Sequence, residues 1–494
     1  MFFNTYKTNN NMKATNIFKI SGIFSLILST FIFTSCFSVK NHGSKYSELF
    51  EMGVGVVDIT PSVGYAHYSG TSTGVATSLN AKAIVFKQGE NHGAILVCDI
   101  ASVQRSLSRI VREKASEKTG IPFQNISVSA THTHTGPSFS IHSYAEKYDE
   151  GTLTEKEMDS YVSFLVEGMT EAIVVADRNR SVVEMWSGIG EAEGFAFNRR
   201  YLMTDGKVRS NPGRQNPKTL MPVGPTDPDV QFVLFRNSGQ TNYKAVFSTY
   251  ACHTATIGGT EFHADYPYFL ETELKKHFGD QLFSIFGLGT SGDINTTNVE
   301  IPRRQRGNVT LELGSQLAEA IIEESVSSEK LNPSFKVVSK IVYMPLQDYT
   351  DEEYEWAIGK DSKSLFEERT ALENRRKRKI RSLAMLRGRE AVQPSVSGDP
   401  WRLPVEIHVF RLDSQNAIVT MPGEIFAELG LNLKARSPFN NTMIVTLSNA
   451  SIVYVPTSQA FLEGDYEAIN SRLAPGSGEQ MVDEVLDILR SLKK

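Results

Sequence analysis

Residues 126–137 read ISVSATHTHTGP, and they join an apolar, alternating segment to two histidines and a glycine–proline pair. The alternation predicts a short strand, and the Gly-Pro pair predicts a turn after it. Side chains in a strand alternate with a period of two, so His132 and His134 are expected on the same face. Two imidazoles on one face are costly to bury unless a group such as a metal ion binds their nitrogens. The stretch therefore predicts a metal site at the end of a strand.

Composition limits the class of protein. The chain has 494 residues, of which 40% are hydrophobic and 22% are charged, as is typical of a globular protein. The net charge of −5 argues against nucleic acid as the main partner. Three cysteines, at positions 36, 98 and 252, are too few for a disulfide framework.

The N-terminal region has the pattern of a targeting segment. Lysines precede an apolar stretch at 20–33, which is too short for a membrane-spanning helix. The sequence FTSC at 33–36 resembles the lipobox of bacterial lipoproteins, and a plain secretory signal is the alternative. We expect a lipoprotein signal peptide at 1–35 and a tether at 36–50. The protein would then be lipid-anchored through Cys36 in the bacterial cell envelope, at a periplasmic or outer-membrane surface.

Strands and helices alternate along the rest of the chain. Residues 93–98 form a continuous apolar run that predicts a buried strand. Helical periodicity follows over 107–115, and Gly120 is the expected C-cap of that helix. The strand at 126–130 comes next. A strand, a helix and a strand in this order predict a parallel, right-handed βαβ unit.

The same pattern recurs three times farther along the chain. A strand is predicted at 244–251, shortly before His253, and another at 282–286, before a glycine-rich loop. A third strand is predicted at 417–421, followed by Glu424 and an amphipathic helix. Open α/β sheets place their functional sites at the carboxyl ends of strands, where these side chains are expected.

The resulting fold class is α/β, with a mixed, largely parallel sheet flanked by helices and a metal site at the carboxyl ends of its strands. His132, His253 and Glu424 each follow a predicted strand. Two histidines and one carboxylate are typical of catalytic zinc with an open position for water. Each residue also has a structural alternative. His253 would then be a hydrogen-bonded core histidine, and Glu424 would stabilise a helix N-terminus.

Several motifs resemble those of the neutral (non-lysosomal) ceramidases, specifically their N-terminal catalytic domain. The most specific are ATHTHTGP at 130–137 and MPGE at 421–424. Further matching motifs extend from GVGVVDIT at 53–60 to DYE at 465–467. Residues 51–494 are therefore expected to form a ceramidase-like catalytic domain.

The resemblance implies a zinc-dependent amide hydrolase that cleaves the N-acyl bond of ceramide or a related N-acylated amine. It implies that His132, His253 and Glu424 bind the zinc ion. It also implies that His134 and Arg199, the first arginine of an NRR motif, contact the substrate amide. A lipid or N-acyl amine is the expected partner.

Two positions depart from the family pattern. The family's ligand tyrosine falls on Ser451, and Tyr454 is retained three residues later as a candidate hydroxyl for the reaction. A catalytic or positioning serine of the family falls on Gly289. No C-terminal β-sandwich is expected within this chain, and three protein ligands plus water are expected at the metal. The alternative function is a catalytically impaired, ceramidase-like envelope lipoprotein with a binding role.

Two further features admit more than one interpretation. Asp99 and Asp293 are candidates to accept the proton of the attacking water, or they order loops as capping carboxylates. Residues 351–388 predict charged helices with the basic sequence RRKRK at 375–379. A solvated helix face is the expected role of this sequence, and contact with anionic lipid headgroups is the alternative.

Overall fold

The computed structural model describes residues 49–152, 160–302, 308–328, 330–359 and 370–494. The predicted signal peptide at 1–35, Cys36 and nearly all of the predicted tether lie outside the described residues. Within these ranges, no helix is both long enough and apolar enough to span a bilayer.

Strands and helices alternate over the described ranges. The strands are β1 (Glu51–Asp58), β2 (Ala66–His67), β3 (Gly70–Thr71), β4 (Gly74–Val75), β5 (Asn80–Gln88), β6 (Asn91–Cys98), β7 (Ile126–Ala130), β8 (Ser181–Glu191), β9 (Phe197–Asn198), β10 (Arg200–Met203), β11 (Val208–Ser210), β12 (Thr219–Pro222), β13 (Asp229–Asn237), β14 (Tyr243–Tyr250), β15 (Glu261–Phe262), β16 (Phe283–Leu288), β17 (Ile294–Asn295), β18 (Lys336–Pro345), β19 (Arg402–Arg411), β20 (Asn416–Thr420), β21 (Glu424–Ile425), β22 (Asn441–Val445) and β23 (Tyr454–Val455). The helices are α1 (Arg105–Thr119), α2 (His142–Glu150), α3 (Ser160–Arg178), α4 (Tyr266–Phe278), α5 (Val309–Ser325), α6 (Asp351–Ala357), α7 (Thr370–Arg389), α8 (Ala427–Arg436), α9 (Ser458–Glu463), α10 (Tyr466–Asn470) and α11 (Ser477–Lys493).

An eight-stranded sheet has the strand order β16-β14-β13-β8-β1-β5-β6-β7. Its β14–β16 and β6–β7 pairs are parallel, and its other pairs are antiparallel. The predicted mixed α/β class is confirmed, but the expectation of a largely parallel sheet is wrong. Tight connections reverse the chain between β5 and β6 and between β13 and β14, so these neighbours need no crossover helix.

The predicted strand–helix–strand unit is confirmed as β6, α1 and β7. Strand β6 pairs in parallel with β7, and α1 ends at Gly120. Gly120 has φ 73, and its N–H donates to the carbonyl of Ser116. A residue without a Cβ adopts this left-handed conformation at low cost, which is why glycine suits the position.

A second sheet, with the order β18-β19-β20-β22, packs face to face on the first. Side chains of β5 alternate between two cores: Ile84 and Phe86 share a core with Phe410 of the second sheet, whereas Ala83 and Val85 face the helical side. The other face of the second sheet packs against α8 and α11. The fold therefore has two central sheet layers covered by helices on both outer faces.

Hydrogen bonds join β7 to the second sheet beside the site. The hydroxyl of Ser127 donates to Thr420 at 2.8 Å, and the hydroxyls of Ser129 and Ser448 lie 2.7 Å apart. The backbone N–H of Asn449 donates a hydrogen bond to the carbonyl of Val128. These contacts bring the loops after β20 and β22 to the carboxyl end of β7.

Candidate metal centre

His132 lies just beyond β7, in a turn. Its φ is 68, which is uncommon for a residue with a Cβ, and its N–H donates to the carbonyl of Ile100. Nδ1 lies 2.6 Å from the carbonyl oxygen of Ala101. The prediction that His132 and His134 share one face of a strand is wrong, because the strand ends at Ala130. The turn nevertheless brings the Nε2 atoms of the two rings to 3.3 Å.

His253 follows β14, as predicted, and is buried. Its Nδ1 lies 2.7 Å from the carbonyl oxygen of Ser291, in the loop after β16. A carbonyl oxygen only accepts hydrogen bonds, so Nδ1 carries the proton and Nε2 presents a lone pair. The same argument applies to His132. Carbonyl partners of this kind fix the tautomer and the ring orientation of metal-binding histidines.

Glu424 enters the site from a tight turn after β20. Gly423 has φ 89, and a Cβ there would lie 2.7 Å from Ile452. Strand β21 then pairs Glu424 in parallel with Tyr454 of β23. A Cβ on Gly292 would lie 2.3 Å from the backbone oxygen of Glu424, so the two chain segments can approach this closely only with glycine at 292.

The three predicted ligands converge. Glu424 Oε2 lies 3.5 Å from Nε2 of His132 and 3.4 Å from Nε2 of His253. This carboxylate oxygen is buried and has no hydrogen-bond partner. The three facing atoms are an anionic oxygen and two ring nitrogens whose opposite nitrogens carry the protons. Their arrangement favours a cation at their centre.

Electrostatics agree with that arrangement. Burial alone would raise the pKa of Glu424, but His132 and His253 hold it well below its usual value. Burial, with a contribution from Arg199, lowers the pKa of His253 to about 4. His253 is therefore neutral near pH 7, which is the form that binds metal ions.

His134 completes a group of three histidines, with His132 and His253, whose ligand atoms lie within 4.8 Å of one another. This cluster could bind a metal ion, so His134 is placed to contact either the ion or a bound substrate. The ring of Tyr68 packs against His134 with 4.7 Å between centroids. Burial and the two other histidines lower the pKa of His134 to about 2.

Arg199 is buried beside this group and has partners of its own. Its Nε donates to Glu467 at 2.7 Å, and Nη2 donates to the carbonyl of Gly292 at 2.6 Å. Its guanidinium also lies over the ring of Tyr454, 5.4 Å from the centroid. Glu467 accepts from the hydroxyl of Ser210 and is fully buried. These contacts fix the guanidinium in one orientation.

Tyr454 lies inside the site, whereas Ser451 is exposed. Val453 has φ 62, and this turn places Tyr454 opposite Glu424 in the β21–β23 pair. Burial and the Glu424 carboxylate raise the pKa of the Tyr454 phenol well above its usual value. Tyr454 therefore stays protonated and can donate a hydrogen bond.

Asp99 and Asp293 order the surrounding loops. Asp99 accepts from the N–H of Asn80 at 2.8 Å and from the hydroxyl of Thr131 at 3.2 Å. Asp293 accepts from the N–H of Ala427 at the start of α8 and from the side chain of Asn198. These contacts favour the loop-ordering role over the role of proton acceptor. Burial raises the pKa of both carboxyls to about 6.

Sequence reasoning missed two residues that form the site. Tyr68 carries only a weak signal, as an aromatic residue in a loop between glycines at 64 and 70. Glu467 was recognised only as part of the DYE motif, without its contact to Arg199. A serine at position 289 would be tightly packed, because a Cβ there would lie 3.0 Å from the backbone of Tyr250.

The fold and the histidine cluster define an α/β protein with a candidate metal centre, and comparison with known proteins shows which family it is similar to. Residues 50–265 match the model of a protein family described as neutral/alkaline non-lysosomal ceramidase, N-terminal. Neutral ceramidase B of Dictyostelium discoideum is 25% identical over 260 residues, which are 49% of this chain and 34% of that protein. A neutral ceramidase of Mycobacterium tuberculosis is 22% identical over 265 residues, which are 48% of this chain and 41% of that protein.

The predicted resemblance to the neutral/alkaline non-lysosomal ceramidase family is confirmed. The matched segments span less than half the length of these two relatives. The crystal structure of neutral ceramidase from Pseudomonas aeruginosa has a TM-score of 0.66 at 16% identity, covering 90% of this chain and 75% of that one. A ceramidase complexed with C2 has a TM-score of 0.64 at 15% identity and the same coverage. The two likenesses show that this chain has the neutral ceramidase fold.

Proposed function

We propose that this chain is a zinc-dependent amide hydrolase that cleaves the N-acyl bond of ceramide or a related N-acylated amine. The observation that carries the proposal is the buried Oε2 of Glu424, which has no hydrogen-bond partner and faces two histidine nitrogens. His132, His253 and Glu424 would hold the ion.

The donor set fits zinc better than calcium or magnesium. Imidazole nitrogen and carboxylate oxygen together suit Zn²⁺, whereas calcium and magnesium sites are built from oxygen ligands. Three protein ligands leave a position open for water or substrate. A bound zinc ion would lower the pKa of its water towards ~7 and polarise the amide carbonyl.

Tyr454 and His134 would act on the substrate directly, and Arg199 would act through Tyr454. Tyr454 would donate its phenolic hydrogen to the amide oxygen, because its raised pKa keeps it protonated. Arg199 would hold the Tyr454 ring in place through the guanidinium that lies over it. His134 would orient the amide beside the ion, with Tyr68 packed behind its ring.

The substrate class is supported by the family. The two relatives are named as neutral ceramidases, and one structural neighbour is a ceramidase complexed with C2. This chain has serine at 451 and glycine at 289, where the family pattern has tyrosine and serine. We therefore extend the proposal from ceramide to N-acylated amines in general.

Metal analysis combined with a hydrolysis screen would test the proposal. The purified protein should contain about one zinc per chain, and the ion should be removable by a chelator with loss of hydrolysis. The screen should use N-acyl substrates with a range of acyl chain lengths. Protein that holds no stoichiometric metal and hydrolyses none of them would contradict the proposal and support the non-catalytic alternative.

We further propose that the enzyme acts at the bacterial cell envelope, anchored by lipid on Cys36. The support is the FTSC sequence at 33–36 after an apolar stretch. One acyl chain binds a membrane only marginally, whereas several anchor a protein stably. The wild-type protein should partition into detergent, and Cys36→Ser should release it or block processing. A soluble, unlipidated wild-type protein would contradict this location.

A further inference from the structure

Helix α7 presents two arginines towards the site without a carboxylate partner among the described residues. Arg375 and Arg378 are three residues apart and so share a face of the helix. The guanidinium of Arg375 lies 4.0 Å from the centroid of the Tyr466 ring. Ser382, one turn farther along, accepts a hydrogen bond from Nε of Arg472 at 3.1 Å. Three guanidinium groups therefore line the junction between α7 and the segment after α10.

Three buried arginines of this protein are paired with acids. Arg112 contacts Glu406 at 2.6 Å, Arg199 contacts Glu467 at 2.7 Å, and Arg200 contacts Glu463 at 2.9 Å. Hydrogen bonds of Arg472 go to a hydroxyl and to the backbone oxygen of Asn470, which are both neutral. Among the described residues, Arg375, Arg378 and Arg472 form no salt bridge, and Glu424 of the candidate metal centre acts on Arg472 only through longer-range attraction.

The junction is continuous with the candidate metal centre. Tyr466, against which Arg375 packs, lies 5.5 Å from Tyr454 between ring centroids. Burial raises the pKa of Tyr68, Tyr466 and Glu424 raise it further, and Arg375 lowers it. Tyr68 is thus within electrostatic range of the metal centre on one side and of Arg375 on the other.

We propose that Arg375, Arg378 and Arg472 form a subsite for an anionic group of the substrate, beside the amide that is cleaved. Because the acyl chain of an N-acyl amine is a hydrocarbon, the anionic group belongs to the amine part. The preferred substrate is then an N-acyl amine that carries a carboxylate or a sulfonate. Guanidinium groups recognise such planar or multidentate anions through charge-assisted hydrogen bonds.

The position of the arginines favours a substrate over a membrane surface. Arg375 and Arg472 are half-buried and packed against a tyrosine ring and a helix, and Arg378 is exposed at the rim of the junction. Lipid headgroups are met by exposed basic side chains, so two of the three arginines are placed for a substrate. The expected role of the 375–379 sequence as a solvated helix face is accordingly limited to part of that sequence, since Lys379 is buried as well.

The inference rests on the proposed amide hydrolysis, and matched soluble substrates test it. We would measure kcat/KM of the zinc-loaded enzyme for N-octanoyl ethanolamine, which is neutral, and for N-octanoyl glycine and N-octanoyl taurine, which are anionic. The wild-type enzyme should prefer the anionic pair by about tenfold or more, as expected for charge-assisted contacts. The Arg375→Gln/Arg378→Gln variant should lose about tenfold of that preference.

A matched control lies on the same helix. Arg389 is exposed near the end of α7 and pairs with Glu146 at 3.2 Å, so Arg389→Gln removes one positive charge from the same helix away from the junction. It should leave the preference as in the wild type. Zinc content and circular dichroism would verify that each variant is folded.

Three results would overturn the inference. Equal kcat/KM for neutral and anionic substrates, unchanged in the double variant, would remove the subsite and leave the proposed hydrolysis intact. An effect of the double variant seen only on vesicles of phosphatidylglycerol, and not on phosphatidylcholine, would assign the arginines to membrane binding. Hydrolysis of none of the N-acyl substrates by zinc-loaded enzyme would reject the proposed function and the inference with it.

Discussion

Two glutamates of this protein each lie beside a histidine. A carboxylate oxygen of Glu424 is 3.5 Å from Nε2 of His132, and one of Glu406 is 3.5 Å from Nε2 of His408. Both glutamates lie in largely buried surroundings, yet the pKa of the two histidines shifts in opposite directions. Burial would lower the pKa of His132, but Glu424 raises it above its usual value. Burial lowers the pKa of His408 to about 4, although Glu406 opposes the shift.

The difference lies in what else contacts the carboxylate. Glu406 accepts two hydrogen bonds from the guanidinium of Arg112, at 2.6 and 2.7 Å, so its charge is already neutralised. Glu424 has no arginine or lysine within ion-pair distance in the described part of the chain, and its Oε2 has no hydrogen-bond partner. A histidine–glutamate pair alone does not indicate a metal site. A buried histidine–glutamate pair whose carboxylate has no arginine or lysine at ion-pair distance does indicate one.

The largest expected effect of the comparison is on metal binding. Glu424→Gln removes the anionic ligand and should weaken zinc binding by more than about a hundredfold, the upper range seen for loss of a residue that only supports a ligand. Hydrolysis should be abolished with it. Glu406→Gln is the control, because it makes the same chemical change beside a histidine and should keep stoichiometric zinc. Equal zinc affinity in both variants, measured by competition with a chelator, would remove the distinction.

The second effect is on stability, and here Glu406→Gln is expected to cause the larger change. Glu406→Gln leaves the buried charge of Arg112 without its partner, which should lower the free energy of unfolding by about 3–5 kcal/mol. Glu424→Gln replaces an anion that has no arginine or lysine at ion-pair distance among the described residues, so the metal-free variant should be at least as stable as the metal-free wild type. Urea unfolding of the metal-free proteins measures both. A loss of stability in Glu424→Gln as large as in Glu406→Gln would show that the two carboxylates are equally satisfied by the protein.

Sequence patterns predicted much of this region, for identifiable reasons. The strands that precede His132 and His253 were predictable because each is a short run rich in apolar residues, and α1 and α8 were predictable from helical periodicity. The order in which the strands pair in the sheet was not predictable, because parallel and antiparallel neighbours have the same local sequence pattern. The left-handed turn at His132 also has no sequence signal, because it depends on contacts from a loop far away in the chain.

The glutamates illustrate the same limit. Glu424 was predicted as a ligand because the PGE motif follows a strand, but its lack of a cation is a property of the packed structure. Glu467 and Arg375 lie more than forty residues from Glu424 along the chain. The contact of Glu467 with Arg199 forms only when α10 packs beside the segment between β9 and β10. The contact of Arg375 with Tyr466 forms only when α7 packs against α10.

The third effect concerns the groups around Glu424 that bind no metal. Tyr454→Phe removes the hydroxyl opposite Glu424 and should lower kcat by about a hundredfold, or ~3 kcal/mol, as for loss of one oxyanion donor. Zinc content should be unchanged, because three ligands are retained. Tyr466→Phe is a control that changes a neighbouring phenol in the same way. If Tyr454→Phe releases the zinc, Tyr454 is a fourth ligand, and the assignment of three protein ligands is wrong.

The smallest effect is the pH dependence of stability that the pair of Glu406 and His408 should confer. The pKa of His408 is about 4 in the folded protein and about 6.5 when unfolded, so between these values the unfolded chain binds more protons. Stability should therefore fall as the pH decreases from about 6.5 to about 4, with up to about 3 kcal/mol due to His408. His408→Gln cannot titrate and should flatten this part of the curve by about one proton. Phe410→Leu, a change in the ring 6.0 Å from His408, should lower stability equally at each pH. A wild-type slope retained in His408→Gln would show that burial does not keep this histidine neutral.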